Sequence, residues 1–392
     1  MTKLEQLIEE LCPNGVEFKK VKDVFQRLKG TPITAGKMKE IENPNGEIKV
    51  FAGGKTVINA NEADIPNANI TRVPAVLVQS RGVIDVVYYE KPFTFKNEMW
   101  AYTTDNKTTV KYLYYVLKNN IQHFRDAASG MGSLPQISLP VTEEFYIPIP
   151  PLPVQSEIVR ILDNFTELTA ELTAELTARR QQYEYYNNTL LSFDNAEDKT
   201  LEELCDIVDY RGKTPRKVDD GIFLVTAKNI RKGFIDYDKS KEYISPEDYD
   251  EVMHRGFPKI GDVLITTEAP CGNVAQIDNE NIALAQRVIK YRPKSNNLNS
   301  TFLKYVLLGK EFQDKLERAA TGGTVKGIKG SKLHQLTIPV PSIEEQERIV
   351  AILERFDTLC NDISEGLPAE IEARQKQYEY YRDRLLTFEP AK

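Results

Sequence analysis

The chain has 392 residues, 41% of them hydrophobic and 28% charged, a formal net charge of −7 and four cysteines. That is length enough for two domains with cores of their own, and no apolar run approaches the roughly 20 residues of a membrane span. The acid-bearing start from Met1 to Leu7 has no apolar signal segment, so a soluble cytoplasmic protein is expected, and the acidic balance argues against indiscriminate nucleic-acid binding while leaving room for a local basic cleft.

Residues 1–150 read as a first globular region. Val73–Val78 and Val83–Tyr89 are apolar runs of β type, Val110–Leu117 is helical in pattern, and Ser129-Gly130-Met131-Gly132-Ser133 is a glycine-rich loop. Ile147-Pro148-Ile149-Pro150 closes the region. Its polar loops offer Lys29, Gln79, Arg81, Gly130 and Gln136 as candidate DNA contacts. Lysine and arginine suit phosphate, while arginine, glutamine and asparagine can bind a base edge through two hydrogen bonds. Glycine lets backbone amides approach a phosphate closely.

Residues 151–195 follow a proline cluster that favours a helix start. From about Gln155 to Phe193 the apolar residues recur three or four apart, which predicts one amphipathic helix roughly 58 Å long at ~1.5 Å per residue. Within it Thr169-Ala170-Glu171-Leu172 and Thr173-Ala174-Glu175-Leu176 are two copies of one tetrad, with Leu168, Leu172 and Leu176 stacked one turn apart.

Residues 196–341 repeat the order of the first region. Gly261–Thr267 and Val288–Tyr291 are β-type runs, Phe302–Leu308 is helical, Thr321-Gly322-Gly323-Thr324 is glycine-rich, and Ile338-Pro339-Val340-Pro341 closes the region. Its basic loops offer Arg211, Lys213, Arg216, Lys228, Asn229, Arg231, Gly322, Gly323, Lys326 and Lys329 as candidate DNA contacts, and no acid occurs from Thr321 to Lys332. Residues 342–392 open on a capping box at Ser342-Ile343-Glu344-Glu345 and carry a second apolar stripe. Glu365-Gly366-Leu367-Pro368 interrupts that stripe and predicts a kink or two collinear helices.

The two helical segments are copies. Gln155, Ile158, Val159, Ile161, Leu162, Phe165 and Leu168 return 191 residues later as Gln346, Ile349, Val350, Ile352, Leu353, Phe356 and Leu359 (155 to 346). Tyr183-Glu184-Tyr185-Tyr186 returns 195 residues later as Tyr378-Glu379-Tyr380-Tyr381 (183 to 378). The four-residue change in offset has the size of one tetrad. The stripes read as long, unbroken in the first segment, and made for mutual burial in an antiparallel pair, with Leu168, Leu172, Leu176, Tyr183, Tyr186, Phe356, Tyr378 and Tyr381 as scaffold or partner positions. Catalytic motifs are missing: there is no Asn/Asp-Pro-Pro-aromatic loop, no phosphate-binding loop, and no Gly-x-Ser-x-Gly or His-Glu-x-x-His pattern. The cysteines and the three histidines are scattered, so a metal site is not expected. The residues leave three readings open, a non-catalytic DNA-sequence reader, a coiled-coil scaffold joining two protein-binding domains, and a self-contained nuclease.

The duplicated Ile-Pro-Ile/Val-Pro…Gln…Ile-Val…Ile-Leu…Phe and Gln-Tyr-Glu-Tyr-Tyr segments resemble those of the specificity subunits of type I restriction–modification systems. The tetrads resemble the IC branch in particular. The resemblance implies an α+β fold: two globular α/β target recognition domains separated by two long antiparallel helices, as a pseudo-twofold internal repeat. It implies that the chain reads a split DNA target and holds two modification subunits and, in the full complex, restriction subunits. The adenine-N6 methyltransferase and ATP-dependent endonuclease chemistry, with S-adenosylmethionine, ATP and Mg, would reside on those partners. The domains vary freely in such proteins, so no base-contacting residue carries over.

Overall fold

The structure is a computed structural model that describes residues 2–54, 56–129, 134–193, 196–210, 215–322, 326–361 and 365–391. In chain order its elements are α1 (Lys3–Leu11), β1 (Phe18–Lys20), α2 (Val21–Val24), β2 (Gln26–Lys29), α3 (Ala35–Ile41), β3 (Ile48–Phe51), β4 (Val57–Ala60), β5 (Ala75–Gln79), β6 (Asp85–Tyr89), β7 (Phe93–Phe95), β8 (Trp100–Thr103), α4 (Lys107–Asn119), α5 (Ile121–Asp126), α6 (Leu139–Glu143), β9 (Tyr146–Pro148) and the long α7 (Leu152–Leu190). Then come β10 (Glu197–Thr200), α8 (Leu201–Leu204), β11 (Cys205–Asp209), β12 (Lys217–Val218), β13 (Ile222–Val225), β14 (Tyr243–Ile244), α9 (Tyr249–Met253), β15 (Val263–Thr267), β16 (Cys271–Gln276), β17 (Ile282–Leu284), β18 (Val288–Pro293), α10 (Ser300–Leu308), α11 (Lys310–Ala319), α12 (Gly330–His334), β19 (Thr337–Val340), α13 (Ile343–Asn361) and α14 (Leu367–Leu385). The contacts divide the chain into one unit of residues 1–172 and 371–392 and another of residues 173–370.

Unit 1 is built on an antiparallel sheet of order β2-β8-β5-β6, beside a smaller sheet β4-β3-β7 in which β3 runs parallel to β7. Unit 2 repeats this with β11-β18-β15-β16 and a sheet β12-β14-β13-β17 in which β13 runs parallel to β17. The runs read as β type in the sequence are β5, β6, β15 and β18, and the two helical stretches are α4 and α10. Each of these helices covers its sheet with a fully apolar face: Val110, Leu113 and Leu117 in α4, Phe302, Leu303 and Leu307 in α10. At about 1.5–3 kcal/mol per buried large side chain, these faces hold each helix to its sheet.

The Ile-Pro segments form two-stranded ribbons. β9 pairs with β1, setting Pro148 opposite Phe18, and β19 pairs with β10, setting Pro339 opposite Asp198. A ribbon tolerates proline because one edge of each strand needs no donor. The repeated glutamine then ties ribbon to helix: Gln155 Nε2 donates to Pro150 O at 2.8 Å, and Gln346 Nε2 donates to Pro341 O at 2.9 Å.

The helical copies meet in a crossed pattern. In unit 1, Phe165 of α7 stacks on Tyr381 of α14 at 5.6 Å and contacts Tyr378 at 6.4 Å. In unit 2, Phe356 of α13 stacks on Tyr186 of α7 at 5.5 Å and contacts Tyr183 at 6.1 Å. The phenylalanine of one repeat therefore meets the tyrosines of the other, in both units. Within each unit the packing is antiparallel: Ile158 lies deep in the unit 1 core with Leu386, and in unit 2 Leu191 shares a core with Ile349 while Arg180 reaches Cys360 O.

The interruption at 365–368 appears as the break between α13 and α14, with Pro368 in the first turn of α14, where its missing donor costs nothing. The expected unbroken buried stripe needs correction. In α7 the buried residues are Val154, Gln155, Glu157, Ile158, Val159 and Leu162, and α14 has none. Leu168 and Leu172 in unit 1, and Leu176 in unit 2, are half-buried. Tetrad threonines are partly satisfied by their own helix: Thr169 Oγ1 donates to Phe165 O and Thr177 Oγ1 to Thr173 O. Among the described residues no helix is long and apolar enough to cross a membrane.

Candidate nucleic-acid interface

The main sheet of each unit ends in the same construction. In unit 1, β5 runs out into Ser80-Arg81-Gly82, and the segment after α5 is stapled across it. Ile137 N donates to Ser80 O at 2.9 Å, Gly82 N to Pro135 O at 2.9 Å, and Ser129 N to Gln136 O at 3.0 Å, with Arg81 bridged to Gln136. In unit 2, β15 runs out into Thr267-Glu268. Ile328 N donates to Thr267 O at 3.0 Å, Thr321 and Gly327 exchange bonds of 2.8 and 2.9 Å, and Glu268 is bridged to Gly327. Ile137 and Ile328 are again 191 residues apart, so the staple belongs to the duplicated scaffold.

What the scaffold presents differs. In unit 1 the sheet end carries exposed Arg81 and Gln136. Lys29 is exposed at the same end, because Lys29 pairs with Trp100 and Trp100 with Val78, about 10 Å across two strand spacings. Lys96 and Glu98 form an ion pair of 2.9 Å beneath. In unit 2 the charges at this end are Glu268 and Arg287, paired at 3.3 Å, with Arg287 56% exposed. A common frame carrying different donors and acceptors can hold two different base sequences.

The family description "Type I restriction modification DNA specificity domain" matches the chain twice, over residues 13–179 and 194–373. The chain belongs to this type I specificity family. It is 40% identical over 310 residues to the EcoR124I/EcoR124II type I restriction enzyme specificity subunit of Escherichia coli, covering 72% of each chain. It is 34% identical over 315 residues to a putative type I restriction enzyme specificity subunit of Haemophilus influenzae, covering 76% of this chain and 77% of that one. In fold it is similar to the crystal structure of a type I restriction–modification S subunit from M. genitalium, with TM-score 0.61 at 17% identity over 95% of this chain and 96% of that one. A second solved structure, from work on type I complex assembly, aligns with TM-score 0.53 at 16% identity over 95% of this chain and 98% of that one.

In this type I specificity chain several sequence candidates stand at the stapled ends: Lys29, Arg81 and Gln136 in unit 1, and exposed Gly322, Lys326 and Lys329 in unit 2. Lys326 is held by Glu317, whose carboxyl it keeps below the usual carboxylate range. Arg216 and Lys228 are exposed. The segment from Thr226 to Lys232 follows β13, whose Val225 O accepts from Ala285 N at 2.9 Å, two residues before Arg287. Arg231 is engaged by Asp236 at 3.3 Å. Gly130, Arg211, Lys213 and Gly323 lie outside the described residues.

Two candidates are corrected. Asn229 is fully buried, and its amide is spent on its own loop: Oδ1 accepts from Thr226 N and Thr226 Oγ1, and Nδ2 donates to Asp236 O and Ser240 O. It shapes the turn and has no donor to offer a base. Gln79 is 6% exposed, inside β5 opposite Asp85, because both faces of that central strand are covered. Arg287 is not among the residues that the sequence singles out as DNA contacts. No local pattern marks it, and only the pairing of Thr267 N with Arg287 O, at 2.9 Å, brings it to the sheet end. Among the described residues no group of three or more His, Cys, Asp or Glu is placed to hold a metal ion.

Proposed function

We propose that this chain is the DNA-sequence specificity subunit of a cytoplasmic type I restriction–modification complex. Each unit reads one half of a split target with the side chains at the stapled end of its main sheet. The observation that carries this reading is the staple repeated in both units with exchanged side chains, Arg81 and Gln136 in one unit against Glu268, Arg287 and Lys329 in the other. The chain itself is non-catalytic in this reading. Adenine-N6 methylation and ATP-dependent cleavage, with S-adenosylmethionine, ATP and Mg, belong to modification and restriction subunits.

The helices supply the docking points. Tyr185 and Tyr380 occupy equivalent places in the two repeats and are 65% and 60% exposed, unlike Tyr183 and Tyr378, which are half-buried in the seams. Equal exposed aromatics on equal scaffolds fit two copies of one partner, namely two modification subunits. Aromatic side chains of this kind anchor protein interfaces well.

The test is site selection from a randomised duplex library by the chain assembled with its modification subunit. A split consensus, with affinity falling steeply as salt rises, supports the reading. Equal retention of all duplexes overturns it.

A further inference from the structure

Among the described residues of unit 2, Arg287 is the charged residue that the backbone holds at a positive φ. Its φ is +72°, in the left-handed region that a residue with a Cβ enters only at a cost. That conformation is held from outside: Thr267 N donates to Arg287 O at 2.9 Å and Thr267 Oγ1 donates to the same oxygen at 3.3 Å. Ala285 N, two residues before, is tied to Val225 O at 2.9 Å, and Val288, one residue after, begins β18 inside the sheet. The guanidinium stays accessible. Its side chain is 56% exposed and its ion-pair partner Glu268 is 46% exposed, so the pair is solvated and readily exchanged for another acceptor.

The equivalent place in unit 1 sharpens the comparison. There the acceptor of the side-chain hydroxyl at the strand end is Glu98 O, bonded by Ser80 Oγ, just as Arg287 O is bonded by Thr267 Oγ1. Glu98 thus corresponds to Arg287, and Arg81, bridged to Gln136, corresponds to Glu268, bridged to Gly327. The charges are inverted: unit 1 places its arginine on the β5 exit, unit 2 on the turn before β18. Each unit therefore offers one arginine fork at the stapled end, from opposite sides of the same pair of segments.

We propose that Arg287 is a specificity-determining residue of unit 2, binding the O6 and N7 edge of one guanine in its half-site, with Glu268 orienting the fork until DNA replaces it. A planar fork matches that edge through two coplanar hydrogen bonds of fixed direction, whereas a lysine ammonium reaches it as a flexible point charge. Lys329, exposed at the N-cap of α12, serves phosphate instead. The proposal rests on reading the chain as a DNA specificity subunit.

The experiment compares wild type, Arg287→Lys, Arg287→Gly and Lys329→Ala, each as the full chain assembled with its modification subunits, on duplexes carrying every single-base change across the target. Lysine makes the same backbone demand as arginine, and glycine suits φ +72° without strain, so both variants retain the fold. Arg287→Gly is expected to lose guanine preference at one position of one half-site by roughly 10- to 100-fold, with Arg287→Lys falling between it and wild type and the other half-site unchanged. Lys329→Ala is expected to weaken all sequences evenly and lower the salt slope by about one. Base preference retained in Arg287→Gly, or an even weakening of all sequences by that variant, overturns the assignment while leaving the functional reading intact. A wild-type complex without any split-site preference overturns both.

Discussion

Replacing Asp262 by asparagine removes the centre of the one buried charge network in the described part of unit 2. Asp262 and Lys290 are each 2% exposed. The Asp262 carboxylate accepts from Arg292 Nε at 2.6 Å, Arg292 Nη2 at 2.7 Å and Lys259 N at 2.9 Å, and lies 3.3 Å from Lys290 Nζ. Burial pulls the Lys290 ammonium below its ordinary pKa, and Asp262 is the chief charge that opposes this, with a smaller contribution from Asp206. Without it, Lys290 is left uncompensated inside the sheet, at a cost of about 3–5 kcal/mol. Arg292, 31% exposed, can turn to water and adds little to that sum. Lys290→Met alone leaves Asp262 with Arg292 and the Lys259 amide, and should cost less than about 1.5 kcal/mol. The double variant should be more stable than Asp262→Asn alone, because no unpaired charge remains buried. Equilibrium urea unfolding by circular dichroism, with hydrogen exchange on the amides of β15 and β18, measures all three. An Asp262→Asn cost under about 1 kcal/mol, or no recovery in the double variant, would refute the reasoning. Asp262 precedes β15 while Arg287 precedes β18, at the other end of these antiparallel strands, so the variant should not alter base preference.

Three further outcomes follow from the helices. Inserting a third Thr-Ala-Glu-Leu after Leu176 adds ~6 Å and ~40° to α7, close to one or two base pairs of rise; sequencing of methylated sites should show a longer gap with both half-sites unchanged. Glu157, whose carboxyl is held at about 2 chiefly by its hydrogen bond with Arg160 and also by Lys3, stabilises unit 1 at neutral pH. Because its folded value lies below the ordinary value of 4.5, that stability is present above pH 4.5 and lost as pH falls from there towards about 2; urea titrations of Glu157→Gln should show a deficit of about 1 kcal/mol at pH 7, the partners being largely solvated, that vanishes near pH 2. Tyr185→Ala or Tyr380→Ala alone should reduce the modification subunits bound per chain from two to one, as native mass spectrometry would show, and retention of two in both variants would exclude these tyrosines as anchors.

The scaffold was legible in the sequence because it is made of contacts that only certain side chains satisfy. Gln155 and Gln346 recur because each closes a proline carbonyl, and Phe165 and Phe356 recur because each fills the same gap between two tyrosines. The candidate site was less legible. Asn229 reads as a base donor by residue type, yet an asparagine that bonds its own loop looks the same in a sequence. Gln79 reads as a loop residue, but it continues a strand covered on both faces. Arg287 depends on a left-handed φ and on strand pairing with a segment 20 residues earlier, and neither leaves a local pattern. The half-burial of Leu168, Leu172 and Leu176 was hidden too, because helical spacing shows which face is apolar but not how much neighbouring surface exists to cover it.

The division of reading between the two units is tested most directly by exchange. A chain whose residues 196–341 are replaced by those of another type I specificity subunit is assembled with its modification subunits, and the methylated sites are sequenced. The account predicts a change in one half-site, with the other half-site and the gap retained. A change in both half-sites, or in neither, would contradict it.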